Sequence, residues 1–339
     1  MQIVINGFGR IGRTVLRQVL EASKDGDVEV VRINDIASLE TCAYLFKYDS
    51  VFGPWPGNVT AHDGVLAIDG RQILFSSEAD LSQADLTGVD VVMECTGKAN
   101  TRIIAERGLV AGAANVLISG PSDAADVTLV LGANEDQLAD QQVVSNGSCT
   151  TNALAPLLRG LDDAVGIDSG HMTTIHCYTG SQPMVDAPRG PLERSRAGGV
   201  SMVPTTTSAT KLVGKVLPQL DGKVSGAAVR VPAISVSAVD LTVTLNRPVN
   251  APFNEWLQSV FADNPVIGFT EDRVVSTDMR ARTESLIIAL PETLETNSRQ
   301  VRLFGWYDNE WGFSARMIEM ARLMAARKAS VNVVASLAS

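Results

Sequence analysis

Hydrophobic and polar positions follow two different patterns along this chain, and the change comes near its middle. The first half alternates short apolar runs with segments of helical period. The apolar runs cover residues 3–5, 28–33, 89–94 and 115–119, and the helical segments cover 11–22, 37–48 and 101–112. Strands and helices in alternation favour βαβ units and a mostly parallel sheet. An insertion over 59–76 is predicted to form two short strands joined by a turn at Asp69 and Gly70.

The second half changes to the period-2 pattern of strands with one covered face. After a predicted helix over 149–164, such runs cover 170–177, 227–230, 235–245 and 301–307, with helices over 209–217, 253–261 and 311–327. We therefore predict an α+β domain with a mostly antiparallel sheet over 149–310. The first domain is expected to cover 1–148, completed by a C-terminal helix over 311–339. The stretch 178–204 has no sustained period, and loops of that length are usually functional or disordered.

Composition narrows the classes of function. Of the 339 residues, 45% are hydrophobic and 19% are charged, which excludes a disordered or fibrous chain. The formal net charge is -10 and the basic residues are scattered, so nucleic-acid binding is disfavoured. No apolar run approaches the roughly 18 residues of a membrane helix, and no secretory signal pattern follows Met1. Four widely spaced cysteines are typical of a reduced compartment, so we expect a cytoplasmic protein.

Three glycines after the first predicted strand have the spacing of a dinucleotide-binding loop. Gly7, Gly9 and Gly12 match G-x-G-x-x-G between a strand and a helix. The first permits a tight turn, the second leaves room for a pyrophosphate, and the third allows close helix–strand packing. Asp35, 23 residues after Gly12, favours the ribose hydroxyls of NAD over the 2′-phosphate of NADP. These features predict a Rossmann-type dinucleotide-binding domain, with a glycine-rich turn that binds nothing as the alternative.

Cys149 is the cysteine whose surroundings favour chemistry over packing. It lies at or just before the start of the predicted helix over 149–164, among small hydroxyl and amide side chains. A helix N-terminus lowers the pKa of a thiol and makes the thiolate a better nucleophile. The other three, Cys42, Cys95 and Cys177, lie on an apolar helix face or at strand ends and fit small buried hydrophobes.

A nucleophilic thiol needs a base, and the chain has only three histidines. His62 lies in the predicted hairpin. His171 and His176 lie five residues apart in one strand, so their side chains point to opposite faces. His176, at the strand end that leads into the loop 178–204, is the candidate base. A lone strand histidine is more often structural, and the spacing of the three histidines gives no metal site.

Several motifs together resemble the phosphorylating glyceraldehyde-3-phosphate dehydrogenase family, over nearly the whole chain. They are NGFGRIGR at 6–13, SCTTN at 148–152, TTIH at 173–176, PTTT at 204–207, VRVP at 229–232 and WYDNEWGF at 306–313. The cysteine and tryptophan motifs are specific in combination. The sibling erythrose-4-phosphate dehydrogenase family shares most of these motifs. A catalytically idle NAD-binding protein is the alternative from another class, and retention of Cys149, His176 and Asn309 speaks against it.

The resemblance implies NAD-dependent oxidation of a phosphorylated aldehyde by a homotetramer. Cys149 attacks the aldehyde, His176 acts as base, and inorganic phosphate, or water in the sibling family, attacks the thioester. The fingerprint and the resemblance assign to the cofactor Gly7, Phe8, Gly9, Arg10, Ile11, Gly12, Asp35, Ser119, Asn309 and Phe313. The resemblance assigns to the substrate and phosphate Ser148, Thr150, Thr179, Arg194, Thr207, Ser208 and Arg230.

Three positions near the implied phosphate sites depart from the family pattern. Ser181 stands where many members have Asp or Thr, and Glu193 where many bacterial members have arginine. Ser208 stands where a glycine usually lets the phosphate approach the backbone. Thr179, Arg194, Thr207 and Arg230 are nevertheless present, so we expect glyceraldehyde 3-phosphate and inorganic phosphate as substrates. Ser208 and Glu193 predict weaker phosphate affinity than in a member with glycine at position 208.

Overall fold

The computed structural model describes residues 1–22 and 26–337 and divides the chain into two compact units. The first unit comprises Met1–Leu129, Asp136–Gly147 and the chain from Ser314 onward, and the second comprises Val130–Glu135 and Ser148–Phe313. Of the predicted C-terminal helix over 311–339, residues 338 and 339 lie outside the described residues. None of the described helices is both long and apolar enough to cross a membrane.

The first unit alternates strands and helices around one sheet. Its elements are β1 (Gln2–Asn6), α1 (Arg10–Ala22), β2 (Glu29–Asn34), α2 (Leu39–Lys47), β3 (Val59–His62), β4 (Val65–Ile68), β5 (Arg71–Ser76), β6 (Val91–Glu94), α3 (Arg102–Ala105), α4 (Arg107–Val110), β7 (Asn115–Ile118), β8 (Val127–Thr128) and β9 (Val143–Ser145). The strand order is β3-β4-β5-β2-β1-β6-β7-β9-β8, and only β3–β4 and β4–β5 are antiparallel. The predicted α/β unit with a mostly parallel sheet is confirmed.

Strand β1 lies where the order of the parallel strands reverses. The chain places β2 and β5 on one side of β1, and β6, β7 and β9 on the other. Doubly wound sheets bind ligands beyond the carboxyl ends of their strands at such a point. The glycine loop that follows β1 therefore lies at the edge of the sheet where this architecture binds ligands.

Two predicted elements of this unit are wrong in detail. The insertion over 59–76 forms three strands, because it contains two Asp-Gly turns and only one was predicted. Asp63 and Asp69 have φ of 49° and 51°, and each is followed by a glycine with positive φ, as tight hairpin turns require. The predicted helix over 101–112 is divided at Glu106, whose ψ of -2° departs from helical geometry.

The second unit is built on a mixed sheet covered by helices. Its elements are α5 (Cys149–Val165), β10 (Ile167–Cys177), β11 (Val203–Thr205), α6 (Ala209–Val216), β12 (Val224–Val231), β13 (Ser237–Leu245), α7 (Phe253–Val260), β14 (Ile267–Thr270), β15 (Leu286–Ala289), β16 (Leu294–Glu295) and β17 (Gln300–Tyr307), followed by α8 (Trp311–Leu337). The main strand order is β11-β12-β10-β13-β17-β15-β14. Only β10–β12 and β14–β15 are parallel, so the mostly antiparallel sheet is confirmed.

Helix α5 forms the centre of the second unit's core. Leu154, Leu158 and Leu161 are fully buried in one cluster with Leu241 and Val243 of β13. Full burial of a leucine side chain stabilises a fold by roughly 1.5–3 kcal/mol. Because this packing anchors the helix, it also determines where the first residue of α5 is held.

Candidate active site

The loop between β1 and α1 leaves its backbone open at one glycine. A Cβ at Gly7, whose φ is +94°, would lie 2.7 Å from backbone atoms of Cys95 and Thr96. A Cβ at Gly12 would lie 2.2 Å from the carbonyl oxygen of Gly7. A Cβ at Gly9 would meet nothing within 4 Å. The three glycines thus provide the tight turn, the close packing and the open approach for a pyrophosphate that the fingerprint requires.

A cavity of about 250 Å³ opens beside this loop, lined by residues that follow β1, β2 and β6. Asp35 lines it, and its Oδ2 and Oδ1 accept hydrogen bonds from the backbone N–H groups of Phe8 (2.6 Å) and Ala37 (2.8 Å). Each carboxylate oxygen can accept a further hydrogen bond. The open glycine and the anchored carboxylate therefore fit the pyrophosphate and ribose of a dinucleotide.

Two predicted cofactor residues, Phe8 and Arg10, use their side chains within the protein. Phe8 is buried and stacks on Phe46 with 6.3 Å between ring centroids. Arg10 pairs with Asp49, and its guanidinium lies over the ring of Phe52 at 5.4 Å from the centroid. Only the backbone of these two residues is therefore suited to contact a cofactor at the loop.

Ile11 and Ser119 complete the predicted cofactor residues of the first unit. Ile11 is half-buried in the first turn of α1. Ser119 directly follows β7, and its N–H donates to the carbonyl oxygen of Glu94 at 3.0 Å. Glu94 ends β6, and Cys95 beside it lines the cavity. Ser119 thus lies one strand away from the strand ends that form the cavity.

Ser148 caps α5 and places Cys149 in the first turn of the helix. The Ser148 hydroxyl accepts a hydrogen bond from the N–H of Thr151 at 3.0 Å. This satisfies one of the N–H groups that a helix start leaves unpaired. The Cys149 side chain is half-buried, and its Sγ lies 3.6 Å from Nε2 of His176. Thiol and imidazole are therefore within hydrogen-bond distance.

His176 lies on the buried face of β10. Its side chain is 5% exposed, whereas His171 is exposed and lies 2.8 Å from the hydroxyl of Ser225. The predicted opposite orientation of the two histidines is confirmed. Nδ1 of His176 lies 2.7 Å from the carbonyl oxygen of Cys177. Nδ1 also lies 2.9 Å from Nη1 of Arg230, which is a donor only. In the tautomer whose Nδ1–H donates to Cys177, Arg230 donates to that carbonyl oxygen instead, and the lone pair of Nε2 faces Cys149.

Burial changes the pKa of both members of the pair. Burial, together with Arg230 and Arg194, lowers the pKa of His176 to about 4, so the imidazole is neutral at neutral pH. Burial raises the pKa of Cys149, against the opposing effects of Arg230 and of Thr150. The prediction that the helix start lowers the pKa of this thiol is wrong. The loss of hydration on burial raises the pKa by more than the groups at the helix start lower it. The pair is a neutral thiol beside a neutral base.

Arg230 and Arg194 bring positive charge to His176. Nη1 of Arg230 lies 2.9 Å from Nδ1 of His176 and donates to the carbonyl oxygen of Cys177 at 3.1 Å. Arg194 donates from Nε to the hydroxyl of Thr205 at 2.9 Å and from Nη2 to a backbone oxygen. These acceptors are neutral, so both guanidinium groups keep their charge for an anion.

The predicted phosphate residues with hydroxyl groups are not all free to bind a ligand. The Thr150 hydroxyl is buried and lies 2.8 Å from that of Tyr307, and the Ser148 hydroxyl is used by the helix cap. Thr179 Oγ1 lies 2.9 Å from the exposed hydroxyl of Ser181. Among these residues, Thr179 is therefore the one whose hydroxyl bonds at the surface.

Thr207 and Ser208 lie just before helix α6. The Thr207 hydroxyl accepts from the N–H of Ala209 at 3.1 Å. Ser208 is exposed, has φ of -83° and ψ of -6°, and makes no capping hydrogen bond through its side chain. Its backbone conformation is open to any residue, so serine here adds bulk without strain.

Tyr307 is a site residue to which the sequence analysis gave no role. Its hydroxyl lies 2.8 Å from those of Thr150 and Thr174, and its ring meets His176 edge-on at 6.0 Å. Tyr307 therefore links α5 to β10 and supports the imidazole. The period-2 pattern predicted only a strand position here, and the motif WYDNEWGF at 306–313, which contains Tyr307, was the other signal in the sequence.

Asn309 and Phe313 flank the start of α8 and are both buried. Oδ1 of Asp308 accepts from the backbone N–H groups of Glu310 at 3.0 Å and Trp311 at 2.9 Å. The turn that carries Asn309 is therefore fixed by its neighbour's carboxylate. Phe313 contributes only apolar surface.

Comparisons with known proteins agree along the chain. Residues 1–102 match the family model for the glyceraldehyde 3-phosphate dehydrogenase NAD binding domain, and residues 148–309 match that for the C-terminal domain. Glyceraldehyde-3-phosphate dehydrogenase of Kitasatospora aureofaciens is 45% identical over 334 residues, 96% of this chain and 99% of the relative. Proteins of the same name are 44% identical in Xanthobacter flavus (96% and 98% covered) and 43% in Pseudomonas aeruginosa (97% and 99%).

Proposed function

The chain belongs to the glyceraldehyde-3-phosphate dehydrogenase family, and on that premise we propose that it converts glyceraldehyde 3-phosphate and inorganic phosphate to 1,3-bisphosphoglycerate. It is an oxidoreductase with NAD as its cofactor. The observation that carries the proposal is the distance of 3.6 Å between Cys149 Sγ and His176 Nε2. Beside this pair, Arg194 and Arg230 donate to neutral acceptors among the residues that the structure describes.

Cys149 forms the first bond of the proposed reaction. Nε2 of His176 takes the thiol proton as Sγ attacks the aldehyde carbon, and the imidazolium returns that proton to the former carbonyl oxygen. The product is a hemithioacetal, and His176 is again neutral. NAD, when bound, supplies the acceptor for the two electrons and the hydrogen that leave the carbon. His176 accepts the hydroxyl proton in that step, which leaves a thioester on Cys149.

Inorganic phosphate releases the product in the second half of the reaction. A phosphate oxygen attacks the thioester carbon, and the Cys149 thiolate leaves and regains its proton from His176. Arg194 and Arg230 hold the anions, because a guanidinium binds phosphate oxygens in pairs. The hydroxyl residues proposed with them are Thr179, Thr207 and Ser208. Ser148 and Thr150 belong to the same proposed region, and their hydroxyl groups already hydrogen-bond within the protein. In the same proposal, Asn309 and Phe313 contact the nicotinamide.

Phosphate dependence tests the proposal directly. We expect NADH formation from glyceraldehyde 3-phosphate to require added phosphate, and Ser208→Gly to lower the KM for phosphate by about tenfold, the value of one charge-assisted hydrogen bond. Thr179→Val is the matched control, and we expect this substitution to raise the KM for glyceraldehyde 3-phosphate. Turnover that ignores phosphate and is faster with erythrose 4-phosphate would assign the chain to the hydrolytic sibling reaction instead.

Selectivity for NAD over NADP should depend on Asp35. Three acids, Asp35, Glu78 and Glu94, and two basic residues, Lys98 and Arg107, line the cavity. The carboxylate anchored beside the glycine loop is that of Asp35, so a 2′-phosphate at this carboxylate meets like charge. We expect NADP to bind at least about tenfold more weakly than NAD, and Asp35→Ser to narrow that difference. Arg32→Ala is the control. The pKa of Asp85 is lowered chiefly by hydrogen bonds from Thr87 and further by the charge of Arg32, so Arg32 lies near Asp85. Tighter binding of NADP by the free enzyme, measured by titration, would contradict this prediction.

A homotetramer is the assembly we propose. The segment between β10 and β11 exposes five large apolar side chains, namely Met184 (92%), Val185 (74%), Leu192 (88%), Val200 (81%) and Met202 (74%). Apolar residues concentrated in one exposed segment support burial against another copy of the chain. We also propose a cytoplasmic location, which the four free cysteines support.

A further inference from the structure

We propose that Cys177, together with Ser237, is a positioning residue that orients the side-chain amide of Asn309 so that Nδ2 is the atom offered to the cofactor. The inference rests on the proposed contact between Asn309 and the nicotinamide carboxamide. Cys177 was interpreted from sequence as a small buried hydrophobe. In the structure, the thiol of Cys177 instead donates a hydrogen bond, and Cys177 directly follows the proposed base His176.

The three side chains form one closed network. The Cys177 thiol donates to Oδ1 of Asn309 at 3.1 Å, and the Ser237 hydroxyl donates to the same oxygen at 3.3 Å. The backbone N–H of Cys177 donates to the Ser237 hydroxyl oxygen at 3.1 Å. Cys177 and Ser237 are each 1% exposed, and Asn309 is 7% exposed. Water therefore competes little for any of these bonds.

The direction of the hydrogen bonds determines the orientation of the amide. Burial raises the pKa of Cys177 to about 12, so the thiol keeps its hydrogen and remains a donor. The Ser237 oxygen already accepts from a backbone N–H, which leaves its hydrogen for Asn309. Turning the Asn309 amide over would bring its NH₂ group against the thiol sulfur, which is a weak acceptor, and would leave the hydrogens of Cys177 and Ser237 without this acceptor. Oδ1 is therefore held by the protein, and Nδ2 faces away from these two donors.

Backbone strain beside Ser237 supports a specific placement. Val236 has φ of 66°, a conformation that β-branched residues rarely adopt. Its side chain is buried with Met279 and Ile287, so packing holds the strained conformation in place. Strain of this kind is typical of functional sites, where the surrounding structure enforces it. The strained residue, Val236, directly precedes Ser237, whose hydroxyl donates to Asn309.

The test compares NAD with ADP-ribose, which lacks the nicotinamide, by calorimetric titration of the full-length enzyme. Cys177→Ala is expected to raise the dissociation constant for NAD by about threefold to tenfold, the value of one hydrogen bond, and to leave that for ADP-ribose unchanged. Cys177→Ser keeps a donor and should restore most of the affinity for NAD. Asn309→Ala should show the same selective loss, and adding Cys177→Ala to it should cause no further loss.

Each alternative outcome identifies which assignment is wrong. If Asn309→Ala weakens NAD selectively but Cys177→Ala does not, Asn309 holds the nicotinamide without help from Cys177 and the inference is overturned. If Cys177→Ala weakens NAD and ADP-ribose equally, the thiol acts only on the fold. If Asn309→Ala leaves the ratio of the two affinities unchanged, the proposed role of Asn309 fails, and the inference fails with it.

Discussion

Replacing Cys149 with alanine is expected to abolish aldehyde oxidation, with kcat lowered by at least about 10⁴-fold, because the substitution removes the sulfur on which the proposed thioester forms. Binding of NAD should remain within about twofold of the wild type, since the glycine loop and Asp35 belong to the other compact unit. Steady-state NADH formation and calorimetric titration with NAD measure the two effects. Normal turnover by Cys149→Ala would show that the nucleophile is misassigned.

Alkylation provides a control for this prediction. Iodoacetamide should modify Cys149 first, because His176 lies 3.6 Å from its sulfur and can remove the thiol proton. Cys42 and Cys177 are buried. Cys95 is half-buried, but burial raises its pKa to about 12. Peptide mapping after brief treatment identifies the modified residue, and faster reaction at Cys95 would contradict the assignment.

Replacing His176 with asparagine should lower kcat by about 10²–10⁴-fold, the usual contribution of a general base. The effect is large here because burial raises the pKa of Cys149, so the thiol does not ionise unaided at neutral pH. His171→Asn is the matched control, since His171 lies on the opposite face of the same strand and is exposed. Equal losses of kcat in the two variants would show that the loss comes from disturbing strand β10 and not from removing a base.

The pH dependence of alkylation separates the base from the thiol. Because the pKa of His176 is lowered to about 4, its neutral form persists as the pH falls through the range where an ordinary histidine becomes protonated. The wild type should therefore keep a reactive Cys149 at pH values near 5. In His176→Asn, the rate should rise only at alkaline pH, as the thiol itself ionises. A wild-type rate that is lost near the ordinary histidine pKa would contradict this prediction.

The sequence by itself determined the features that depend on local pattern. Apolar runs and helical period gave the alternation of β1, α1 and β2, because side-chain spacing must match the period of the element that is half-buried. The spacing of Gly7, Gly9 and Gly12 predicted the loop geometry, since each glycine answers a local requirement of the backbone. Alternation along β10 placed His171 and His176 on opposite faces for the same reason.

Only the tertiary structure decided which side chains meet and what their surroundings do to them. Cys149 and His176 are 27 residues apart, and they come together because α5 packs on the sheet that contains β10. Tyr307 reaches Thr150 across 157 residues, a contact that no local period encodes. The raised pKa of Cys149 was missed because the helix start is visible in sequence, whereas the loss of hydration depends on everything packed around the thiol.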